Sequence, residues 1–224
     1  MIRGLPVACS WSGGKDSCLA LHAAVKAGAA PHALLTMFDE GGERSRSHGL
    51  HREVLDAQAA SMNLPLRTKN ASWSTYESQF LDALSELRES GVCDVVFGDI
   101  DLEPHREWEE RVCGLRSIQA HLPLWQQERL AILEQVWAVG IRCQIIAVDA
   151  EKLTEDELGA ELTPELAADL QSRGIDACGE NGEFHTVVVD APMFERPVEL
   201  EFGDVVSRGG YLAIDARLSR ATTV

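Results

Sequence analysis

The six cysteines of this 224-residue chain include no C-x-x-C pair. Zinc ribbons and iron–sulfur clusters use that spacing, so Cys9, Cys18, Cys93, Cys113, Cys143 and Cys178 read as reduced thiols. No apolar run approaches about 18 residues, and nothing near the N-terminus has the charged, apolar and small-residue order of a secretory leader. A membrane partner is thereby disfavoured, and a cytoplasmic location is expected. Basic residues are scarce: 20 Lys and Arg stand against 36 Asp and Glu, a formal net charge of −16. Residues 1–98 carry 9 Lys and Arg and 11 Asp and Glu, net −2, which leaves −14 for residues 99–224. Affinity for nucleic acid comes largely from neutralising phosphates, so an RNA platform in the second half is disfavoured. Internal repeats and low-complexity segments are also lacking.

What is present in the first hundred residues is an alternation of short apolar runs and helical patterns, the signature of a parallel sheet with crossover helices. Strands are expected at Leu5–Cys9, His32–Met37, Leu64–Thr68 and Asp94–Phe97, and helices at Ser17–Ala27, His51–Met62 and Ser74–Ser90, the last capped by Ser72 or Ser74. Beyond Asp99 the pattern loosens. Residues Pro104–Gln119, Glu128–Val139 and Thr163–Arg173 read as helices, and Ile141–Val148, F-H-T-V-V-V-D, V-E-L-E-F and Y-L-A-I-D-A-R-L as strands. The expectation is an α/β protein: a parallel, doubly wound, Rossmann-like nucleotide-binding sheet over residues 1–110, followed by a smaller α+β domain over 111–224.

Residues 10–17, S-W-S-G-G-K-D-S, sit in the first strand-to-helix turn. A Walker loop needs G-x-x-x-x-G-K-[ST]. Here Lys15 is followed by Asp16, and no glycine lies five residues before Gly14, so that reading fails. What remains is an anion nest. Gly13 and Gly14 let backbone approach a phosphate, Ser12 and Ser17 offer hydroxyls, and the first N–H groups of the following helix point to the same place. An acid inside such a nest is costly unless it meets magnesium or a basic neighbour, so Asp16 is the candidate metal ligand or the residue that orients Lys15. Residues 10–17 resemble the loop of the PP-loop ATP pyrophosphatases, which cut ATP between the α and β phosphates.

A second polar octet, G-E-N-G-E-F-H-T, fills residues 179–186, with more charge and hydrogen-bonding capacity than an Asn-Gly turn requires. A plain turn and a ligand site both stay open on this octet alone. Cys178 beside it could share in such a site. His48 and His51, at i, i+3 around a helix start, lack further ligands at zinc spacing and suit phosphate positioning or capping.

The two octets, together with V-F-G-D-I (96–100), P-L-W (123–125), S-H-G-L-H…Q-A (47–59) and W-S-T-Y-E (73–77), resemble the diphthine–ammonia ligase family over residues 5–195. The resemblance implies ATP and Mg2+ as cofactors, adenylation of a carboxylate with pyrophosphate released, and attack by free ammonia. It implies phosphate contacts from Ser12, Gly13, Gly14, Lys15, Asp16 and Ser17, with Ser10, Thr36, Met37, His48 and Gly98 completing the nucleotide site. Lys15, Asp16, Asp99, Glu180, Glu183 and His185 are the implied catalytic residues. Glu180, Asn181, Gly182, Glu183, His185 and Thr186 are the implied acceptor side, with Glu180 or Glu183 as holder and deprotonator of ammonium. The acceptor is a carboxylate on an elongation-factor side chain or on a small molecule, and a homodimer is compatible with the sequence. Where family members carry S-D-Y-Q-R after G-[AD]-I, this chain has D-L-E-P-H-R-E. Two rivals share part of the pattern: a tRNA-modifying PP-loop enzyme, and an adenine-nucleotide sensor without turnover.

Overall fold

Alternation within the apolar runs decides which helices cover which face of the first sheet. The structure, a computed structural model, describes residues 2–219. Its first sheet is parallel and five-stranded: β1 (Pro6–Ser10), β2 (Ala30–Phe38), β3 (Leu66–Asn70), β4 (Asp94–Val96) and β5 (Gln119–His121), in the order β3-β2-β1-β4-β5. The crossovers are α1 (Lys15–Lys26), α2 (Arg52–Ser61), α3 (Tyr76–Glu89) and α4 (Glu103–Gly114). Along β1, Val7 and Cys9 bury on one face with Val54 and Leu55 of α2 and Leu19 of α1. Ala8 turns to the other face, where Leu84 and Leu87 of α3 and Val112 of α4 pack. That is the period of two that a sheet covered on both sides requires.

The second sheet is antiparallel, in the order β7-β6-β9-β8, with β6 at Arg142–Asp149, β7 at Phe184–Asp190, β8 at Leu200–Arg208 and β9 at Tyr211–Leu218. Two further helices, α5 (Arg129–Ala138) and α6 (Pro164–Ser172), flank it. Thr163 caps α6 by accepting from Leu166 N at 3.3 Å, as its place before Pro164 leads one to expect. Helix α1 packs against both α5 and β7, and α2 packs against β9. The α1/α2 layer is thus shared between the two sheets, and one buried cluster runs through it, from Val7 and Leu34 to Val148 and Val187. The α/β architecture, with an added antiparallel sheet, is the one expected.

Three local expectations are corrected. The segment read as a helix to Gln119 ends at Gly114, and Gln119–His121 forms the edge strand β5. Three residues are too few to leave a period of two in the sequence. Helix α3 starts after Thr75 rather than after Ser72 or Ser74, and those hydroxyls bond one another across the turn. Strand β8 runs to Arg208, well past V-E-L-E-F, because its pairing with β9 continues there. Among the described residues no helix is long and apolar enough to cross a membrane.

The strand order reverses between β1 and β4, so the crevice beyond their carboxyl ends is the switch point where open α/β sheets bind ligands.

Candidate active site

A cavity of about 950 Å³ opens at that switch point. Its near wall is the loop after β1. Gly13 has φ +83°, a conformation that L side chains rarely adopt, and a Cβ there would meet Leu50, Leu55 and Gln58 at 2.7 to 2.9 Å. Gly98, after β4, lies so close to the start of α1 that a Cβ would come within 2.7 Å of Ser17 N. Gly14 is the N-cap of α1 with no side-chain cap, which leaves the helix start open toward the cavity. Ser12 Oγ accepts from Gly14 N at 3.2 Å and lies 3.1 Å from Ser17 Oγ.

Lys15 is buried, and its Nζ donates to both carboxylate oxygens of Asp16 at 2.8 Å, with Glu180 Oε1 at 3.7 Å. Burial works against the lysine's charge, yet Asp16, Cys178 and Glu180 together carry its pKa well above the usual range. Burial, and then the Asp16 charge, push the Glu180 carboxyl up to about 8. Asp16, Cys178 and Glu180 present ligand atoms within 4.8 Å of one another. The oxygens of Asp16 and Glu180 suit a hard divalent cation such as Mg2+; the Cys178 thiol, pushed up to about 12 by burial, does not.

The second octet reaches this wall by running into β7. Thr186 Oγ1 accepts from Lys15 N at 3.2 Å. The His48 ring, 2.8 Å from Thr186 O through Nδ1, stacks on His185 at 4.8 Å, and His185 stacks on Tyr211 at 5.4 Å. Burial lowers the pKa of His48 to about 4 and of His185 to about 3, so both rings are neutral; His48 then donates from Nδ1 and keeps Nε2 as an acceptor.

Of the remaining candidates, Ser10, Met37, Gly98, Asp99, Asn181 and Gly182 line the cavity. Thr36 instead donates to Trp11 O at 2.6 Å and braces the loop from behind. Glu183 is turned into its own turn: Oε2 accepts from Asn181 N at 3.0 Å, and Oε1 lies 3.4 Å from Lys152 Nζ. His51 parts company with His48 and lies 2.7 Å from Asp215 of β9.

Several contributors lie outside the predicted site residues. Gln58, fully buried on α2, accepts from Trp11 Nε1 at 2.9 Å and donates to Gly13 O at 3.0 Å and Val188 O at 2.7 Å, tying the loop to β7. Asp176 accepts from Cys178 N and Glu180 N and is held by Arg129 at 2.5 Å, which aims the second octet. The far wall is aromatic: Tyr76, Phe80 and Trp108, with ring centroids 5.0 to 6.2 Å apart, and Trp73 beneath the Arg46 guanidinium at 3.9 Å. Of these, Trp73 and Tyr76 belong to the W-S-T-Y-E segment and Gln58 to S-H-G-L-H…Q-A.

The chain is 28% identical to a diphthine–ammonia ligase of Danio rerio, over 87% of this chain and 86% of that one, and 27% identical to the Homo sapiens protein of that name, over 89% and 84%. Among solved structures, a chain described as a predicted subunit of tRNA methyltransferase from Methanocaldococcus jannaschii aligns with TM-score 0.45 and 18% identity, over 84% of this chain and 98% of that one. Likeness at that level carries no functional reading. Residues 5–119 match the diphthamide synthase N-terminal domain and residues 128–217 the diphthamide synthase C-terminal domain. With both domains matched in order, the chain belongs to the diphthamide synthase family.

Proposed function

We propose that this protein is an ATP-dependent carboxylate–ammonia ligase that forms AMP and pyrophosphate. The observation that carries the reading is the pairing of buried Lys15 with the partly buried Asp16 and Glu180, at a helix start whose N-cap glycine has no side chain. In this reading Ser12, Gly13, Gly14, Ser17 and the N–H groups of α1 hold the phosphates. The Lys15 ammonium then moves from Asp16 onto the negative charge that grows on the departing pyrophosphate. Asp16, with Glu180, would hold Mg2+, which when bound supplies further charge neutralisation at the phosphates. The carboxylate of the acceptor attacks the α phosphorus, pyrophosphate leaves, and ammonia displaces AMP from the activated carbonyl.

His185, Thr186, Asn181 and Gly182 face the acceptor in this scheme. The neutral His48–His185 stack offers hydrogen bonds without adding charge beside Lys15. The relatives are named for diphthine and ammonia, so a diphthine-like carboxylate on an elongation-factor side chain is one acceptor class, and a small-molecule carboxylate is the other. A division of labour near residue 110, nucleotide before and acceptor after, goes with this reading, although Gln119–His121 still belongs to the parallel sheet. A cytoplasmic location also goes with it, since ATP and ammonia are cytoplasmic substrates.

The test is a screen of carboxylates with ATP, Mg2+ and ammonium, read by mass spectrometry. The expected products are AMP, pyrophosphate and an amide. Release of ADP in the presence of an acceptor would sink the reading.

A further inference from the structure

The aromatic wall encloses a carboxyl pair that the phosphate site leaves without a role. Glu109 of α4 is only 5% exposed, lines the cavity, and lies near enough to the Asp99 carboxyl for each to act on the other's charge. Its buried Oε2 meets no N–H or O–H donor. Asp99 accepts from His105 Nδ1 at 2.8 Å.

Among the described residues no lysine or arginine forms an ion pair with either carboxyl, and most are engaged elsewhere, although Arg46 keeps Nε and Nη2 without a hydrogen-bonding partner. Arg106 is bound to Glu103 at 2.8 Å and lies 3.7 Å from Glu110, and Arg111 is bound to Glu77 at 2.6 Å. Arg46 lies over the Trp73 ring, and Lys15 is held by Asp16. The pair, Glu109 buried and Asp99 partly exposed, holds one proton, on Glu109. Burial, and then the Asp99 charge, raise Glu109 to about 11, while the His105 bond and the neighbouring Glu109 carboxyl overcome burial and keep Asp99 ionised. Buried polar groups without partners are rare in proteins and call for an occupant. A compact cation suits this one, because the carboxyls would accept its hydrogens and the Tyr76 and Trp108 rings, 5.8 Å apart, line the same cavity.

We propose that Asp99 and Glu109 form the subsite that receives ammonium as the nitrogen donor, with Glu109 taking the proton that turns it into the attacking ammonia. The proposal rests on the ligase reading and names the donor site within that cavity. Entering ammonium displaces the proton on Glu109, which leaves to solvent. Glu109 then accepts a proton from ammonium, and the freed nitrogen lone pair forms the C–N bond as the C–O bond to AMP breaks. The second proton lost from nitrogen passes to Asp99 and through His105 to water. One ammonium and one acyl adenylate thus give one amide, one AMP and two protons, and the carboxyl pair returns to its starting state. Glu183 is engaged by Asn181 and Lys152, and Glu180 faces Lys15, so this pair is the free acid site of the cavity.

Glu109→Gln and Asp99→Asn would be compared with the native chain in two assays. Ammonium chloride is titrated calorimetrically into the ATP-free protein, in two buffers of different ionisation enthalpy, with potassium chloride as control. Amide formation then gives KM for ammonium and for ATP, with melting temperatures recorded for both variants. Saturable ammonium binding with proton release is expected, weakened about tenfold or more in each variant, while KM for ATP stays within about twofold and both variants melt cooperatively. Ammonium binding unchanged in Glu109→Gln, or potassium bound as tightly as ammonium, overturns the proposal. Ammonium binding that the variants lose, in a protein that forms no amide with any acceptor, upholds the subsite and overturns the ligase reading instead.

Discussion

At the phosphate-loop end of the cavity, Ser12, Gly14, Lys15, Asp16 and Ser17 are consecutive or nearly so, and their polar atoms are bonded to one another or to Thr186. At the aromatic end, Arg46, Tyr76 and the adjacent pair Trp108 and Glu109 come from three well-separated parts of the chain. There, Arg46 Nε and Nη2 and Glu109 Oε2 are buried without a hydrogen-bonding partner. The first end is preorganised by local backbone. The second is preorganised by packing, and its unmet polar groups mark where a substrate would complete it. Substitutions at the two ends should therefore fail differently: at the loop by loss of chemistry, at the aromatic wall by loss of acceptor or donor affinity.

The largest expected effect is at the loop. Lys15→Ala removes the cation proposed to meet the departing pyrophosphate, and acceptor-dependent pyrophosphate release should fall by about 100- to 1,000-fold; a loss confined to KM for the acceptor would erase the distinction between the two ends. Next comes the brace behind the loop. Gln58→Ala leaves Trp11 Nε1 without its acceptor and removes the amide's bonds to Gly13 O and Val188 O in a fully buried place, which should cost about 2–4 kcal/mol in urea denaturation. A cost below about 0.5 kcal/mol would mean that the loop holds its shape without α2.

The smallest effect is a pH dependence at the junction of the two octets. His48 and His185 are depressed in the folded protein, to about 4 and about 3, whereas an unfolded histidine titrates near 6.5. The unfolded chain therefore binds protons first as the pH falls. Stability from these two rings is full above about pH 6.5 and declines toward pH 4, levelling off once the folded rings protonate as well. Denaturation at pH 7 and pH 5 should show a shallower loss in a His48→Gln, His185→Gln double variant than in the native chain. Equal slopes would place both rings in water-like surroundings.

Much of the loop end was legible in the sequence because its chemistry is contiguous. The residue after Lys15 excludes a Walker loop by itself, and the two octets stand out as polar runs beside apolar strands. The far end was less legible. Phe80 and Trp108 fall on helix faces exactly where core residues fall, so nothing in the pattern separates a cavity wall from a packed interior. Glu109 sits in an E-W-E-E-R run that reads as an exposed helix surface. Gln58 reads as a polar residue on α2, and only the fold shows that its amide spans from the loop to β7. Glu183 illustrates the converse: its place in a polar octet suggested a substrate contact, but the turn geometry directs its carboxylate to Asn181 and Lys152.

The most direct measurement follows oxygen. The carboxylate that stimulates AMP release is supplied with both oxygens as 18O, together with ATP, Mg2+ and ammonium, and the AMP is analysed by mass spectrometry. Adenylation at the α phosphorus predicts one 18O atom in each AMP formed with amide. Unlabelled AMP, or label found in inorganic phosphate beside ADP, would contradict a cut between the α and β phosphates by the carboxylate.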